Sequence, residues 1–389
     1  MKAAETQAAV IGGGVVGCAV AHALARRGVD VVLLESESGL AFGASGTNSG
    51  ILHTGFDSHP GELETNLILR SAELREDLLG ELGVAVWPCG AQLKPRTEDE
   101  RTAVLRLAEN ARVNRVEVHL DGDGSLIVPG EAVTDPVAFT HALALAAQAG
   151  GSTVVLNARV SRLAGTADGG VLVELATGGR WHARAAVNCA GLHADEVAHL
   201  AQDHPVNVYP RKGEFLVFSP PEQEPLEQIL LPVPSTLGKG VLVFPTVDRR
   251  QIIAGPTARE REDKDDWSVE ADAGELIVTR ATRMYPPLER AGQIGAYAGL
   301  RPAGREGNYV IEPSRRVPGL IHVAAIRSTG LSASLGIGEH VAGLIADETA
   351  IVFEPERPLP TPQPAPAGDS WWERAARHHG RSTEAPPSR

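Results

Sequence analysis

The sequence predicts an α/β fold, in which a parallel sheet with a β-meander carries an inserted α+β domain built on a mostly antiparallel sheet. The first observation is an apolar run at 8–11, a glycine turn, an Ala- and Leu-rich helical stretch and a second apolar run at 31–34. Such a βαβ unit implies a parallel sheet covered by helices. The second observation is that residues 205–255 alternate short strands with proline and glycine turns, a pattern typical of antiparallel sheet.

The segments of the predicted parallel sheet lie at the start, the middle and the end of the chain. We therefore expect one discontinuous domain over 1–55, 151–204 and 296–353, and a second domain over 56–150 and 205–295. Strands at 154–156, 159–163 and 171–175 are expected to form the meander, followed by buried strands at 185–190 and 320–325. Helices are expected at 63–82, 97–112, 136–148, 276–285 and 336–346, with Asp135 as the N-cap of the third.

The chain is proline-rich from residue 354, including the run RPLPTPQPAPAG. This composition favours an extended, mobile tail over 354–389. Trp371 and Trp372 interrupt it, and they are compatible with a short docked helix or with a loosely packed segment. We predict the loosely packed tail.

Charge and cysteine usage exclude several classes of function. The 389 residues contain 36 basic and 49 acidic side chains, a net charge of −13, which argues against nucleic-acid partners. Three separated cysteines, with no Cys/His cluster, predict neither a metal site nor a disulfide framework. There is no apolar run of about 18 residues and no N-terminal signal pattern, so we expect a cytoplasmic protein without a membrane span, which leaves peripheral membrane contact open.

A dinucleotide fingerprint, G-x-G-x-x-G, begins where the first strand ends. Gly12 suits the tight turn, Gly14 lets a pyrophosphate approach the backbone, and Gly17 lets the helix pack closely on the strand. The following helix N-terminus offers free N–H groups to phosphates, and Glu35, at the end of the second strand, can accept hydrogen bonds from a ribose. The pattern predicts a Rossmann-type site, although the fingerprint alone does not separate FAD from NAD.

Four further motifs bear on that choice. They are GASGTNSGILH at 43–53, AVNCAG at 186–191, GLRP at 299–302, and HVAA at 322–325 leading to TGLS at 329–332. With these motifs in this order, residues 7–350 resemble the D-amino-acid-oxidase-like superfamily of FAD enzymes. The resemblance implies that FAD is bound, and the absence of a cysteine near His53 or before Thr329 favours a non-covalent link.

The resemblance and the fingerprint together give the expected cofactor-binding residues. These are Gly12, Gly14, Val15, Val16, Gly17, Glu35, Ala44, Ser45, Thr47, Asn48, Ser49, Val160, Ala190, Gly191, Gly299, Arg301, Thr329, Gly330, Leu331 and Ser332.

Within the superfamily, the sequence resembles anaerobic-type glycerol-3-phosphate dehydrogenases and L-2-hydroxyglutarate oxidases. The segments YPRKGEFLVF, GKGVLVFPTVDRRQIIAGPTA and GLRPAGREGNYVIE favour the first group. The resemblance implies oxidation of a small anionic secondary alcohol, with electrons passing to a quinone, a carrier protein or oxygen. Oxidation of L-2-hydroxyglutarate or of an amine, and a non-catalytic flavin-binding role, stay open as alternatives.

Four residues are candidates for the chemistry. His53 follows the glycine-rich segment and, as an imidazole, suits a general base near neutral pH. Arg301 suits a bidentate clamp on a carboxylate or phosphate. Lys212 and Lys239, two of only five lysines, lie beside glycines that would let a ligand come close, and the alternative for each is a solvated turn lysine.

Overall fold

The computed structural model describes residues 3–221, 223–234, 240–361 and 370–379, and its fold class is the one that the sequence predicts. Its helices are α1 Val15–Ala25, α2 Leu63–Glu81, α3 Glu98–Val113, α4 Pro136–Ala149, α5 Ala194–Leu200, α6 Ala271–Met284, α7 Gly330–Glu348 and α8 Trp371–His378. Two short 3₁₀ helices span Gly191–His193 and Pro286–Arg290. The predicted cap of α4 is present, because Oδ1 of Asp135 accepts hydrogen bonds from the amides of Val137 and Ala138.

Twenty strands form three sheets in this part of the chain. In chain order they are β1 Ala4–Ile11, β2 Val31–Leu34, β3 Ile51–Leu52, β4 Val86–Trp87, β5 Ala91–Leu93, β6 His119–Leu120, β7 Leu126–Val128, β8 Ala132–Thr134, β9 Thr153–Val155, β10 Val160–Gly165, β11 Val171–Leu175, β12 Arg180–Asn188, β13 Val208–Phe218, β14 Ile229–Leu230, β15 Leu242–Pro245, β16 Ile252–Gly255, β17 Arg259–Glu260, β18 Gln293–Gly304, β19 Val310–Pro313 and β20 Leu320–Ala324.

The first sheet contains the predicted parallel strands. They pair in the order β9-β2-β1-β12-β20, all parallel. Alternate residues of β1 enter different cores: Ala8 and Val10 pack with α1, α4 and α7, whereas Ala9 and Ile11 pack with β10 to β12 on the other face. Because both faces are covered, the strand is apolar throughout.

The meander differs from the prediction at its first strand. β10, β11 and β12 pair antiparallel, and β12 is long enough to serve the meander with its first half and the parallel sheet with its second. Residues 153–155, expected in the meander, instead form β9 and pair in parallel with β2 at the opposite edge. A short apolar run does not encode which edge of a sheet it joins.

The second sheet is mostly antiparallel. Its nine strands are β5 to β7 and β13 to β18, and its longest pairing joins β13 to β18 over nearly their whole lengths. This pairing extends β18 to Gly304, so residues 296–304 belong to the second sheet. The predicted boundary, which placed these residues in the first domain, is wrong here. A small third sheet pairs its strands in the order β3-β8-β4, and β5 to β7 of the second sheet lie between β4 and β8 in the sequence.

Two helices from the expected second domain pack on the first. Leu67 and Ile68 of α2 and Phe139 and Leu143 of α4 share a core with Leu24 of α1. The predicted bound at residue 150 therefore separates α4 from the sheet that it covers. Amphipathic periodicity shows that a helix has an apolar face, and it does not show which sheet that face meets.

The prediction of a loosely packed tail is wrong for α8. Trp371 and Trp372 are only 4% and 2% exposed, and they complete the core beneath the second sheet. Gly295 on β18 makes room for the second indole, since a Cβ at that position would collide with the Trp372 ring. Ser370 and Glu373 form a capping box at the start of the helix. The rest of the predicted tail, residues 362–369 and 380–389, lies outside the described residues.

Among the residues that the structure describes, every helix is too short or too polar to cross a bilayer. The same part of the chain holds no group of His, Cys, Asp or Glu arranged to bind a metal.

Candidate functional site

A cavity of about 850 Å³ opens at the carboxyl ends of β1 and β2. In an open parallel sheet this is the edge where ligands bind, and the volume lies in the usual range of about 300–1,000 Å³ for a ligand site. Most of the predicted cofactor-binding residues line it: Gly12, Gly14, Val15, Val16, Glu35, Ala44, Ser45, Asn48, Val160, Ala190, Gly191, Gly330 and Leu331.

The glycine turn has the shape that a pyrophosphate needs. Gly12 adopts φ of 111°, where other residues are strained, and a Cβ there would collide with the Cys189 carbonyl. A Cβ on Gly17 would collide with the Gly12 carbonyl, so the close packing of helix on strand requires glycine. The first amides of α1 have no partner within the helix and open towards the cavity at Gly14. These features fit a bound dinucleotide.

Glu35 braces the same turn. Its Oε2 accepts a hydrogen bond from the amide of Gly13 at 2.5 Å, and its Oε1 accepts one from the amide of Glu37 at 2.8 Å. The carboxylate also lines the cavity. It therefore fixes the loop geometry and lies where a ribose hydroxyl would be bound.

The loop at 43–50 closes over the start of α1. Oγ of Ser45 accepts a hydrogen bond from the amide of Val15 at 2.9 Å, which caps the helix from a distant segment. Oδ1 of Asn48 accepts one from the amide of Gly50 and holds the loop's shape. Thr47 faces away, towards β18, where a Cβ on Gly299 would lie 2.9 Å from the Thr47 carbonyl oxygen.

Several other predicted cofactor residues support the cavity without lining it. Oγ of Ser332 accepts a hydrogen bond from the amide of His53 at 2.8 Å, joining α7 to β3. Oγ1 of Thr329 donates to Glu64 at 2.7 Å and lies 2.8 Å from the Tyr309 hydroxyl. The remaining residues outside the lining are Gly17, Thr47, Ser49, Gly299 and Arg301.

His53 forms a pair with a carboxylate that sequence reasoning missed. Its Nδ1 lies 2.8 Å from Oε2 of Glu131, whose side chain has no exposure to solvent. The other oxygen of Glu131 accepts hydrogen bonds from the amide and the hydroxyl of Thr54. Arg75 donates to the His53 carbonyl at 2.9 Å. The imidazole is thus held by its neighbours, and a quarter of its surface stays exposed.

Arg301 is a half-buried cation. Among the described residues its guanidinium donates to main-chain carbonyls, those of Arg211 at 2.9 Å, Lys212 at 3.1 Å and Thr257 at 2.9 Å. Within the same ranges no carboxylate forms an ion pair with it. Burial, reinforced by the nearby Arg211 charge, lowers the pKa of Arg301 to about 10, so the group stays protonated at neutral pH. This arrangement suits the binding of an anion.

The side chain of Lys212 lies on the opposite face of the second sheet from that of Arg301. Arg211 and Arg301 are cross-strand partners on β13 and β18, and successive strand residues point to opposite faces. Nζ of Lys212 is completely buried and binds Asp266 at 2.7 Å and Ser268 at 3.0 Å. Its expected catalytic role is therefore unsupported by the geometry, and the alternative of a solvated turn lysine is wrong as well. Lys239, the other lysine candidate, lies outside the described residues.

Comparisons with known proteins find similar enzymes over most of the chain. Glycerol 3-phosphate dehydrogenase from Caloramator mitchellensis is 29% identical over 353 residues, which cover 87% of this chain and 73% of that protein. Glycerol 3-phosphate oxidase from Mycoplasma pneumoniae is 27% identical, covering 86% and 93%. L-2-hydroxyglutarate dehydrogenase from Escherichia coli K12 is 27% identical over 58% of this chain and 57% of its own length.

A solved structure of the L-alpha-glycerophosphate oxidase from Mycoplasma pneumoniae, with FAD bound, superposes with a TM-score of 0.84 at 25% identity, covering 93% of this chain and 98% of that one. Glycine oxidase from Geobacillus kaustophilus, at 22% identity and a TM-score of 0.77, shares the fold, with coverage of 90% and 97%. Residues 7–344 match the model of the DAO family, described as FAD dependent oxidoreductase. The chain therefore belongs to the DAO family of FAD-dependent oxidoreductases.

Proposed function

We propose that this enzyme oxidises sn-glycerol 3-phosphate to dihydroxyacetone phosphate. The observation that carries the proposal is Arg301, a half-buried guanidinium for which the described residues supply no carboxylate. Nε and Nη2 of Arg301 donate to main-chain carbonyls, so the two N–H groups of Nη1 are the ones that would donate charge-assisted hydrogen bonds to a phosphate. The names of the relatives from Caloramator mitchellensis and Mycoplasma pneumoniae support the same substrate.

The reaction removes a hydride from C2 of the substrate and a proton from its hydroxyl. Bound FAD supplies the acceptor for the hydride, and the residues that would hold it are those that line the cavity. Nδ1 of His53 faces the acceptor-only carboxylate of Glu131, so Nδ1 carries the hydrogen and Nε2 has a free lone pair. We assign Nε2 as the acceptor of the hydroxyl proton. Glu131 then stabilises the imidazolium that forms, as a carboxylate does beside a catalytic histidine.

A second substrate, L-2-hydroxyglutarate, is favoured by a separate observation. Several relatives carry the name L-2-hydroxyglutarate dehydrogenase, among them the Escherichia coli K12 protein. A carboxylate could take the place of the phosphate on Arg301, and the oxidation at C2 would be the same. The electron acceptor (a quinone, a carrier protein or oxygen), the cytoplasmic location and a non-covalent FAD link belong to this proposal too.

Anaerobic reduction of the flavin tests the proposal. The FAD-loaded protein is mixed with glycerol 3-phosphate, L-2-hydroxyglutarate or several amino acids, and bleaching of the visible flavin absorption is followed. We expect rapid bleaching by glycerol 3-phosphate alone. Bleaching by L-2-hydroxyglutarate or an amino acid, with none by glycerol 3-phosphate, would contradict the proposed substrate.

Two further measurements address the cofactor and the acceptor. Acid precipitation should release all the FAD into the supernatant, and yellow colour in the pellet would contradict a non-covalent link. Reoxidation of the reduced enzyme by oxygen, by a soluble quinone and by an artificial carrier then ranks the electron acceptors.

A further inference from the structure

Helix α8 forms hydrogen bonds with segments next to both large sheets. Nε1 of Trp372 donates a hydrogen bond to the side chain of Gln251 at 2.8 Å, beside β16 of the second sheet. Two residues later, Arg374 donates to the carbonyls of Leu40 at 2.6 Å and Ala41 at 3.1 Å, in the loop that follows β2 of the first sheet. The helix thus bridges the loop after β2 and the second sheet.

The carboxyl end of α8 adds two rings to a row of stacked side chains. The His379 ring stacks on Trp267 with centroids 3.9 Å apart, and the His378 ring stacks on Phe42 at 3.8 Å. The two histidine rings meet edge to face, with centroids 4.9 Å apart. The Arg374 guanidinium lies over the Phe42 ring, 4.0 Å from its centroid. Phe42, Trp267 and both histidines line the cavity.

A second segment reaches the cavity from the other side. Lys264, in the loop before α6, binds Asp195 at 2.7 Å and Glu196 at 3.0 Å near the start of α5. Lys264 and Trp267 both line the cavity, so this loop crosses it from α5 towards α8. The loop and the helix meet where Trp267 stacks on His379.

This row lies at the ribose and pyrophosphate end of the cavity. Nε2 of His378 is 3.8 Å from the carboxylate of Glu37, and the Glu37 amide is held by Glu35. In the dinucleotide fold the acidic residue after the second strand marks the ribose. His53 and Arg301, the candidates for the chemistry, are not among the described residues that line this cavity.

We infer that α8 and the Trp267 loop form a cover that holds FAD in its site, with Trp267, His378 and His379 as cofactor-binding residues. Flat rings offer stacking surfaces to the ligand and exclude water from its phosphates. The ligand class is the dinucleotide itself. The inference depends on FAD binding and is independent of the substrate proposed above.

The rate of FAD release tests the cover. The full chain, loaded with FAD, is diluted into buffer, and the fluorescence of released flavin is followed for the wild type and for the double variant His378→Ala/His379→Ala. We expect release to be about tenfold faster, equivalent to about 1.4 kcal/mol. The matched control is His199→Ala/His204→Ala, which removes another pair of contacting histidine rings, 4.4 Å apart, outside the cavity lining.

A second variant and a reciprocal measurement complete the test. Trp267→Ala should speed release similarly while leaving the sequence of α8 and its bonds to Gln251, Leu40 and Ala41 unchanged. Because coupling between two binding events is reciprocal, FAD should slow trypsin cleavage after Arg374 and Arg377, detected by mass spectrometry. Unchanged release in both variants, equal acceleration in the control, or cleavage insensitive to FAD would each overturn the cover. None of these measurements needs substrate. Their outcome therefore does not depend on whether glycerol 3-phosphate is the substrate.

Discussion

Nδ1 of His53 lies 2.8 Å from Oε2 of Glu131, a carboxylate with no exposure to solvent. The carboxylate can only accept hydrogen bonds, and its other oxygen is already occupied by Thr54. An ionised carboxylate at this distance would orient the ring and favour the tautomer that carries its hydrogen on Nδ1. A carboxylate acts in this way beside a histidine base, which is the role that we propose for His53.

Glu131→Gln tests that arrangement. An amide can donate to Nδ1 and favour the wrong tautomer, so we expect kcat to fall by up to about 10⁴-fold. Stopped-flow flavin reduction at saturating substrate measures kcat. Partial rescue by Glu131→Asp is expected, and an unchanged kcat in Glu131→Gln would contradict the role.

His53→Ala removes the proposed base itself. Loss of a general base typically costs about 10²–10⁴-fold in kcat. Flavin reduction at saturating substrate measures this. The exposed His119 provides a matched control, and His119→Ala should behave as the wild type. Equal rates of flavin reduction in His53→Ala and the wild type would show that His53 is not the base.

Sequence patterns predict those parts of the structure whose contacts join residues close together in the chain. The βαβ unit needs only the strand, the turn glycines and the helix that follow one another, and β1, α1 and β2 lie where the periodicity places them. The His53–Glu131 pair is different. The two residues are 78 positions apart, and no pattern in the sequence connects them, because β3 and the turn before β8 meet only after the small sheet has formed.

The positions of Lys212 and of helix α8 could not be predicted either, because both depend on contacts between distant segments. Whether Lys212 faces Arg301 depends on one residue of strand register, which composition does not contain. Trp372 of α8 can be buried because β18 places Gly295 opposite its ring, and Trp371 packs edge to face on Tyr297 of the same strand. Proline-rich composition describes the chain before the helix, and it carries no information about this distant contact.

Glu35→Ala should weaken FAD binding. The variant loses the ribose acceptor that we assign to Glu35 as well as the hydrogen bonds to the amides of Gly13 and Glu37, which shape the turn. Removing charge-assisted hydrogen bonds costs about 1.5–3 kcal/mol, so Kd should rise about 10- to 100-fold. Titration of the apoprotein with FAD measures the affinity. Unchanged affinity would show that Glu35 is not the ribose ligand.

Asp266→Asn should destabilise the second sheet through Lys212. Burial raises the pKa of Asp266, but hydrogen bonds from Lys212 and Ser268 prevail and lower it to about 2. Since the folded pKa is below the unfolded value of 3.8, the stabilisation is present above about pH 4 and is lost as the pH falls towards 2. The variant replaces the carboxylate by a neutral amide and leaves the buried ammonium with the Ser268 hydroxyl at 3.0 Å and the Glu270 carboxylate at 3.6 Å, at a cost of about 3 kcal/mol.

Urea unfolding of the apoprotein at several pH values measures this difference. The gap in unfolding free energy between wild type and Asp266→Asn should be constant from neutral pH to about pH 4 and shrink below it. A gap that does not change with pH would show that the ion pair is not its source.

Arg301→Lys separates substrate binding from chemistry. Lysine keeps the positive charge but offers a point donor in place of a planar fork, and it cannot reach the carbonyls of Arg211, Lys212 and Thr257 together. If the guanidinium binds the substrate phosphate equally in the ground and transition states, its loss raises KM and leaves kcat nearly unchanged. We expect KM for glycerol 3-phosphate to rise about 10- to 100-fold, from the loss of charge-assisted hydrogen bonds.

The neighbouring Arg211 offers the matched control. It is the cross-strand partner of Arg301 and exposed, so Arg211→Lys removes a guanidinium from the same strand pair without touching the half-buried one. Flavin reduction over a range of substrate concentrations gives KM and kcat for both variants. A rise in KM confined to Arg301→Lys identifies the anion site, because Arg301 is a desolvated cation held by backbone carbonyls whereas Arg211 is exposed. An equal KM in Arg301→Lys and the wild type would remove the main chemical support for a phosphate-bearing substrate.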